Sequence, residues 1–222
     1  TNTVQFRVTD TAGNSGTVAT QLITIDTTAP TRTVAINSIT ANSGGSVTDF
    51  ITSDNDGLTV TATLSSGLLT GEILEYSNDN GVSFTDITTS SVTGTAISHA
   101  DTSLTSSNTI RFRVTDTAGN TGTVATQLIT IDTTAPTSTV AINSITTDSG
   151  SSATDFITSD NDGLTVTATL STGLLADEIL EYSNDNGANF SNITSSVLCT
   201  AISHTDARPT SSNTIQFRLT NT

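Results

Sequence analysis

The feature that most constrains this chain is a near-identical internal repeat. The segment FRVTDTAGN at Phe6–Asn14 returns at Phe112–Asn120, and TVATQLITIDTTAP at Thr17–Pro30 returns at Thr123–Pro136, each 106 positions later. Solenoid repeats are shorter, at about 20–50 residues, whereas one β-sandwich module takes about 100 residues. The sequence therefore predicts modules in tandem, each large enough to bury a core of its own.

The module boundaries are predicted at the two IDTTAP segments, because proline cannot donate to a strand ladder and stiffens a junction. This divides the chain into residues 1–27, the last two strands of a preceding module, 28–132, a complete module, and 133–222, a module lacking its last strand. Two explanations of the missing strand stay open. The chain is a piece of a longer repeat protein, or Thr17–Asp26 of a neighbouring chain adds to the open sheet edge.

Alternation of apolar and polar residues with a period of two indicates β-strands. It is clear at Leu58–Leu64 and at Ile110–Thr115, and no segment carries an apolar stripe with the helical period of about 3.6. For the complete module the pattern predicts strands at about residues 32–39, 57–64, 72–77, 82–88, 92–98, 109–115 and 122–131. The prediction is an all-β fold with turns at Asn80-Gly81 and Ala118-Gly119-Asn120.

Aromatic residues and arginines on these strands supply two further expectations. Tyr76, Phe84 and Phe112 are the large candidates for the core of the complete module. Arg111 and Arg113 alternate with apolar residues, so both point outward on a strand expected to lie beside the one with Glu75. A cross-strand ion pair there would contribute about 0.2–1 kcal/mol to stability.

Charge excludes several classes of partner. The chain has 21 acidic and 6 basic residues, all arginine, and a net charge of −15. Nucleic acid and anionic membranes are excluded as partners because both require a basic patch. The sequence has no apolar run of 18 residues and no signal-peptide pattern, so an export signal is expected to lie outside it. Cys199 is the only cysteine, which excludes an intrachain disulfide.

An enzyme is not predicted. His99 and His204 each have an aspartate two residues later and serines nearby. A catalytic triad requires a specific geometry rather than a composition. The same histidine in each module also argues against a unique active site, and two histidines in separate modules do not make a zinc site.

Acidic loops make calcium the predicted cofactor. Of the acidic residues 17 are aspartate, a turn-forming residue and a common calcium ligand. Sandwich topology places Asp116 and Asn120 near Asp26. The full set of predicted metal ligands, with repeat equivalents, is Asp10, Asp26, Asp54, Asp56, Asp116, Asn120, Asp132, Asp160, Asp162, Asp177 and Glu178. The alternative for each aspartate is a turn in which the carboxylate accepts hydrogen bonds from its own backbone.

The motifs VTDTAGN (Val114–Asn120), ITIDTTAP (Ile129–Pro136) and EYSNDNGVSFTDI (Glu75–Ile87), in their order within the repeat, carry a family resemblance. The chain resembles the bacterial immunoglobulin-like tandem repeats of giant secreted adhesins, including the RTX-type adhesins. The resemblance implies tandem immunoglobulin-like seven-stranded β-sandwiches in a linear array at the bacterial cell surface. It also implies a spacer role and calcium at the module junctions. The chain departs from the family at Phe84 and Phe190, where tryptophan is usual. It also departs at Asn221, which occupies the repeat position that Asp116 has in the preceding module.

The predicted function is that of a non-catalytic extender, or stalk repeat, of a bacterial cell-surface adhesin, made rigid by calcium. Its predicted partners are neighbouring repeats of the same chain and, through strand exchange, identical chains. Two alternatives stay open. One is an extracellular filament subunit completed by strand exchange, and the other is a surface ligand-binding module. The second would require aromatic residues on exposed loops, and aromatics make up only 4% of the chain.

Overall fold

The alternating segments form β-strands in a computed structural model, which describes residues 1–43, 46–207 and 212–221. Before the first linker the strands are β1 (Asn2–Phe6) and β2 (Ala19–Ile23). Between the linkers they are β3 (Val34–Ile39), β4 (Ile51–Thr52), β5 (Leu58–Leu64), β6 (Ile73–Ser77), β7 (Thr85–Asp86), β8 (Val92–Thr93), β9 (Ala96–Asp101), β10 (Asn108–Thr115) and β11 (Ala125–Ile131), with one short helix, α1 (Thr88–Ser91). After the second linker they are β12 (Val140–Ile145), β13 (Leu164–Leu170), β14 (Glu178–Ser183), β15 (Ser191–Asn192), β16 (Val197–Leu198), β17 (Ala201–Asp206) and β18 (Gln216–Asn221), with a 3₁₀ turn at Thr194–Ser196.

The described residues are nearly all β, which confirms the predicted fold class. They form two compact units, Thr1–Thr40 with Asp56–Ile129, and Ala41–Asn55 with Thr130–Thr222. The module boundaries drawn from the sequence, after residues 27 and 132, stay a prediction. No helix in the described part of the chain has the length and apolar character needed to cross a membrane.

The first unit contains two sheets besides the β1–β2 hairpin. One has the strand order β3-β5-β9-β8, and in the other β10 lies between β11 and β6, with β7 at the edge. Tyr76 of the second sheet reaches the first, where its hydroxyl donates to Asp101 at 3.0 Å and its ring lies 4.4 Å from that of His99. The two sheets therefore face each other across a shared core, as in a sandwich.

The core of the first unit follows the predicted alternation. Leu58, Val60, Ala62 and Leu64 of β5 are buried, as is Phe112 of β10, whereas the residues between them are more exposed. The buried alternating residues of β10 are Ile110, Phe112 and Val114. Tyr76 and Phe112 are thus core residues, as predicted.

Phe84 was predicted in the core and instead lies partly exposed beneath a charged group. The guanidinium of Arg113 stacks over its ring, 3.8 Å from the centroid, and also pairs with Glu75 at 2.7 Å. A ring under a guanidinium gains a cation–π contact without full burial. The ion pair predicted for Arg113 is confirmed. Arg111 instead donates to the side chain of Asn80.

Three strand predictions need correction. The strand predicted at 92–98 is two strands, β8 and β9, because Gly94 adopts a positive φ of 64° and turns the chain between them. The strand predicted at 82–88 is confined to β7, and α1 follows it. Strand β4 was missed because two residues are too few to show alternation. It pairs in parallel with the end of β11.

The second unit repeats the two sheets. Their orders are β12-β13-β17-β16 and β15-β14-β18, and β18 forms one edge of the second sheet. The buried core draws on both sheets and comprises Ala168, Leu170, Leu180, Tyr182, Ile193 and Ile202, with Phe217 and Leu219 of β18 packed against it.

Candidate functional site

The aspartate of each DTAGN segment closes its own loop. Asp116 Oδ1 accepts the backbone N–H groups of Ala118 and Asn120, both at 2.9 Å, and its Oδ2 accepts the side-chain amide of Asn120 at 2.9 Å. The bond from the Asn120 side chain, with the backbone bonds, holds the pKa of Asp116 below its usual range. Asp10 and Asn14 form the same loop in the preceding repeat. The loop is therefore rigid and presents an oriented asparagine amide.

That amide connects the loop to the first linker. Asn120 Nδ2 donates to the backbone carbonyl of Asp26 at 3.2 Å as well as to Asp116. Gly122 lies just beyond, and a side chain there would place its Cβ 2.7 Å from the carbonyl oxygen of Pro30. The linker thus lies against the β10–β11 connection of the module that follows it. The structure brings Asp26, Asp116 and Asn120 together, as the topology predicted.

An arginine holds the other side of the first linker. Arg32 Nη1 pairs with Glu72 Oε1 at 3.1 Å, and its Nε donates to the carbonyl of Gly67 at 3.2 Å. Both side chains line a cleft of about 360 Å³ together with Asp26 and Asp116. Arg32 is not among the residues predicted from the sequence to lie at the linker. The signal was its absence from the second repeat, where Ser138 takes its place.

The second linker is held by a different asparagine. Asn221 Nδ2 donates to the carboxylate of Asp132 at 3.2 Å and to the carbonyl of Thr134 at 2.7 Å. Asp132, Asp177 and Asn221 line a cleft of about 440 Å³ within the second unit. Because Asp177 replaces Gly71 and Ser138 replaces Arg32, this cleft gains a carboxylate and loses a cation relative to the first.

The remaining predicted ligands are the aspartates of the two SDNDG loops and Glu178, the first residue of β14. The backbone N–H groups of Asp54 and Asp160 donate to the hydroxyls of Thr52 and Thr158, both at 3.0 Å. The backbone N–H of Asp162 donates to Asp160 Oδ1 at 3.3 Å. A side-chain hydrogen bond between the carboxyl groups of Asp162 and Asp160, together with the Asp160 charge, raises the pKa of Asp162. Asp56 has its own interactions, and Glu178 is buried, with Oε2 accepting the N–H of Leu175.

Calcium requires six to eight oxygen ligands. Among residues 1–43, 46–207 and 212–221, no three or more His, Cys, Asp or Glu side chains are grouped closely enough to hold a metal ion. In the first cleft the pairing of Arg32 with Glu72 already neutralises a carboxylate. In the second cleft Asp132 and Asp177 face the same space, with no arginine at the position of Arg32. The donor set of the second linker therefore fits a divalent cation better than that of the first.

The histidines occupy structural positions. His99 Nδ1 lies 3.0 Å from the hydroxyl of Ser91, and its ring packs against that of Tyr76 at an interplanar angle of 56°. Burial lowers the pKa of His99, although the nearby Asp101 charge opposes the shift. Asp101 accepts hydrogen bonds from Tyr76 and Asn78 rather than orienting an exposed imidazole. These side chains serve to join the two sheets.

A protein-family model matches the chain in two segments that meet at the first linker. A family model described as a bacterial Ig-like domain matches residues 1–27 and 33–133, which is more than half of the chain. The interval between the two matched segments falls on the first linker. No curated protein matches the chain.

Proposed function

The chain belongs to the bacterial Ig-like domain family, and on that premise we propose that it is a structural extender repeat of a bacterial cell-surface adhesin. Domains of this family are typically non-enzymatic modules of surface proteins. The main support for this proposal is the hydrogen bond from the Asn120 side chain to the Asp26 backbone carbonyl, because it fixes a linker to the module that follows. A spacer between a cell anchor and a binding tip needs linkers of this kind, since flexible ones would let the array collapse.

Three contacts restrict the linker in the first unit. The Asn120 amide holds its first residue, Pro30 fixes φ near its middle and approaches Gly122, and Arg32 anchors its end to Glu72. Each contact contributes little to stability, about 1 kcal/mol or less for an exposed hydrogen bond or ion pair. Together they act on seven consecutive residues, so the linker is stiff even though it forms no regular secondary structure.

Removing the asparagine amide is expected to release the linker. In Asn120→Ala, the backbone order parameters of residues 26–29 and 31, measured by ¹⁵N relaxation, should fall from about 0.8 towards 0.6. Asn14→Ala is the matched control, since it breaks the same loop hydrogen bonds in the preceding repeat, where the amide holds Asp10. Equal order parameters in the wild type and both variants would contradict the proposal.

We also propose calcium as a ligand of the second linker. Asp132 and Asp177, which line the same cleft, would supply two of its oxygen ligands, and no arginine stands there at the position of Arg32. Bound calcium would neutralise the carboxylate charges at the second linker and would be coordinated by their oxygen atoms. The support is the exchange of Arg32 for Ser138 and of Gly71 for Asp177 between repeats.

Calcium is expected to raise the melting temperature of the chain relative to chelator. At a hundredfold excess over Kd, a ligand of the folded form alone stabilises by about 2.7 kcal/mol. Asp177→Asn should remove most of this response, whereas Asp49→Asn, an exposed control, should leave it unchanged. A melting temperature that is the same in chelator and in millimolar calcium would exclude the site while leaving the asparagine contacts untouched.

A further inference from the structure

Two acceptor motifs for an N-linked sugar lie next to each other in the second repeat. The motif is Asn-X-Ser/Thr, with X other than proline, and it occurs at Asn189–Ser191 and at Asn192–Thr194. The first repeat has neither, because Ser83 and Asp86 stand at the two asparagine positions. The exchange of these residues therefore distinguishes the surface of the second repeat from that of the first.

Asn192 presents its side-chain amide at the surface of the folded module. It is the last residue of β15 and is exposed. Its Oδ1 accepts the backbone N–H of Thr194 at 2.9 Å, which closes a turn over the motif and orients the amide. Among the residues that the structure describes, none accepts a hydrogen bond from its Nδ2. The folded module therefore has room for a group bonded to this nitrogen.

Asn189 is the less suitable acceptor of the two. Its Nδ2 donates to Asp185 Oδ2 at 2.7 Å, and its backbone N–H donates to Asp185 Oδ1 at 2.9 Å. The backbone and side-chain bonds from Asn189, with one from Ser183, lower the pKa of Asp185 to about 2, so this acceptor stays charged. A sugar on Asn189 Nδ2 would crowd that carboxylate, whereas a sugar on Asn192 would leave its bond to Thr194 intact.

The exchange of Asp86 for Asn192 also removes a charge from a sheet edge. Strands β7 and β15 each lie at the edge of their sheet, and the two residues occupy the same place, opposite Glu75 and Glu181. Charged side chains on an edge strand oppose its pairing with another chain. A bulky, hydrated sugar at Asn192 would protect the edge in the second repeat, where the charge is missing.

We propose that Asn192 is a glycosylation site, modified by a transferase that uses a sugar activated as its diphosphate. Asn192 Nδ2 forms a bond to the anomeric carbon, the bond from that carbon to the diphosphate oxygen breaks, and one amide proton passes to a base of the transferase. The nucleotide diphosphate or lipid diphosphate is the leaving group. Ile193 is 5% exposed and Thr194 Oγ1 accepts the N–H of Leu180 at 3.0 Å, so a transferase reaches the whole motif before the module folds.

Mass spectrometry of peptides that span residues 184–198, prepared from the protein isolated from the cells that produce it, tests the proposal. The expected result is the added mass of a sugar on Asn192 and none on Asn189. A single sugar or a chain of varying length indicates a nucleotide-linked donor, and an oligosaccharide of one fixed composition indicates a lipid-linked donor; either supports the site. Asn192 without a sugar, or a sugar on Asn189 instead, would overturn the proposal.

Substitutions at the third motif position separate modification from folding. In the same cells Thr194→Ala should abolish the sugar and Thr194→Ser should retain it, because the motif accepts either hydroxyl residue. Thr88→Ala is the matched control, since Thr88 Oγ1 makes the equivalent bond, to the N–H of Leu74 at 2.8 Å, outside any acceptor motif. This control should leave the sugar on Asn192 unchanged. Loss of the sugar in Thr88→Ala as well would overturn the role of the motif.

The first repeat also allows a gain of modification. Asp86 Oδ1 accepts the backbone N–H of Thr88 at 2.8 Å, so the turn has the same hydrogen bond in both repeats. Asp86→Asn completes the motif there and is expected to add a second sugar, at position 86. A variant that carries a sugar at Asn192 alone would overturn the claim that this turn presents the acceptor.

Discussion

Phe112→Ala is expected to lower the free energy of unfolding of the first unit by about 3–5 kcal/mol. Phe112 is fully buried, and its ring centroid lies 5.0 Å from that of Tyr76. Truncation removes apolar contacts and leaves a cavity between close-packed sheets that cannot collapse freely. A loss of this size is a large part of the stability of a domain of about 100 residues.

The repeat supplies a control in the same flanking sequence. Phe6 lies in an identical nine-residue segment but is 72% exposed, so Phe6→Ala should change stability by no more than about 0.5 kcal/mol. Urea unfolding followed by tyrosine fluorescence in a Tyr182→Phe background reports the first unit alone through Tyr76. Similar losses from the two substitutions would show that Phe112 is not in a packed core.

Asp101→Ala is expected to cost the first unit about 2–4 kcal/mol. Asp101 is buried and accepts the Tyr76 hydroxyl at 3.0 Å, Asn78 Nδ2 at 2.7 Å and the Ser103 hydroxyl at 2.6 Å. Its removal leaves a buried phenol without its acceptor and breaks the polar link between the sheets. Asp101→Asn keeps one carbonyl oxygen and should cost less. A double-mutant cycle with Tyr76→Phe, followed by circular dichroism, isolates the cross-sheet bond.

The same carboxylate gives a pH dependence with a defined sign. Burial acts to raise the pKa of Asp101, but the hydrogen bonds from Ser103, Asn78 and Tyr76 outweigh it and the pKa is lowered. A carboxyl whose pKa is lowered by folding stabilises fully above its unfolded pKa of about 3.9 and loses that contribution as pH falls through the folded value. Asp101→Asn should therefore weaken the fall in stability below about pH 4. An unchanged acid transition would contradict this role.

The sequence predicted those parts of the fold that local periodicity encodes. Leu58–Leu64 and Ile110–Thr115 show strict alternation, and their buried faces follow it. Periodicity did not reveal β4, since two residues carry no period and pairing with β11 alone makes them a strand. It misplaced Phe84 because the Arg113 guanidinium, which comes from another strand, covers the ring.

The linker site was predicted in position but not in chemistry. Module topology placed Asn120 near Asp26, and the two are in contact. The direction of the contact, amide donor to backbone carbonyl, depends on a loop that Asp116 closes with its own hydrogen bonds. The ion pair of Arg32 with Glu72 joins residues 40 positions apart. Such contacts follow from tertiary packing, which the spacing of charged residues in the sequence does not encode.

The most direct measurement of the central claim, that the first linker is held to the module after it, is a spin-label distance within the first unit. Labels at Gln21→Cys on β2 and Thr105→Cys, in a Cys199→Ser background, report the linker without disturbing its contacts. The account predicts a single narrow distance distribution that broadens in Asn120→Ala and stays narrow in Asn14→Ala. A wild-type distribution as broad as that of Asn120→Ala would contradict it.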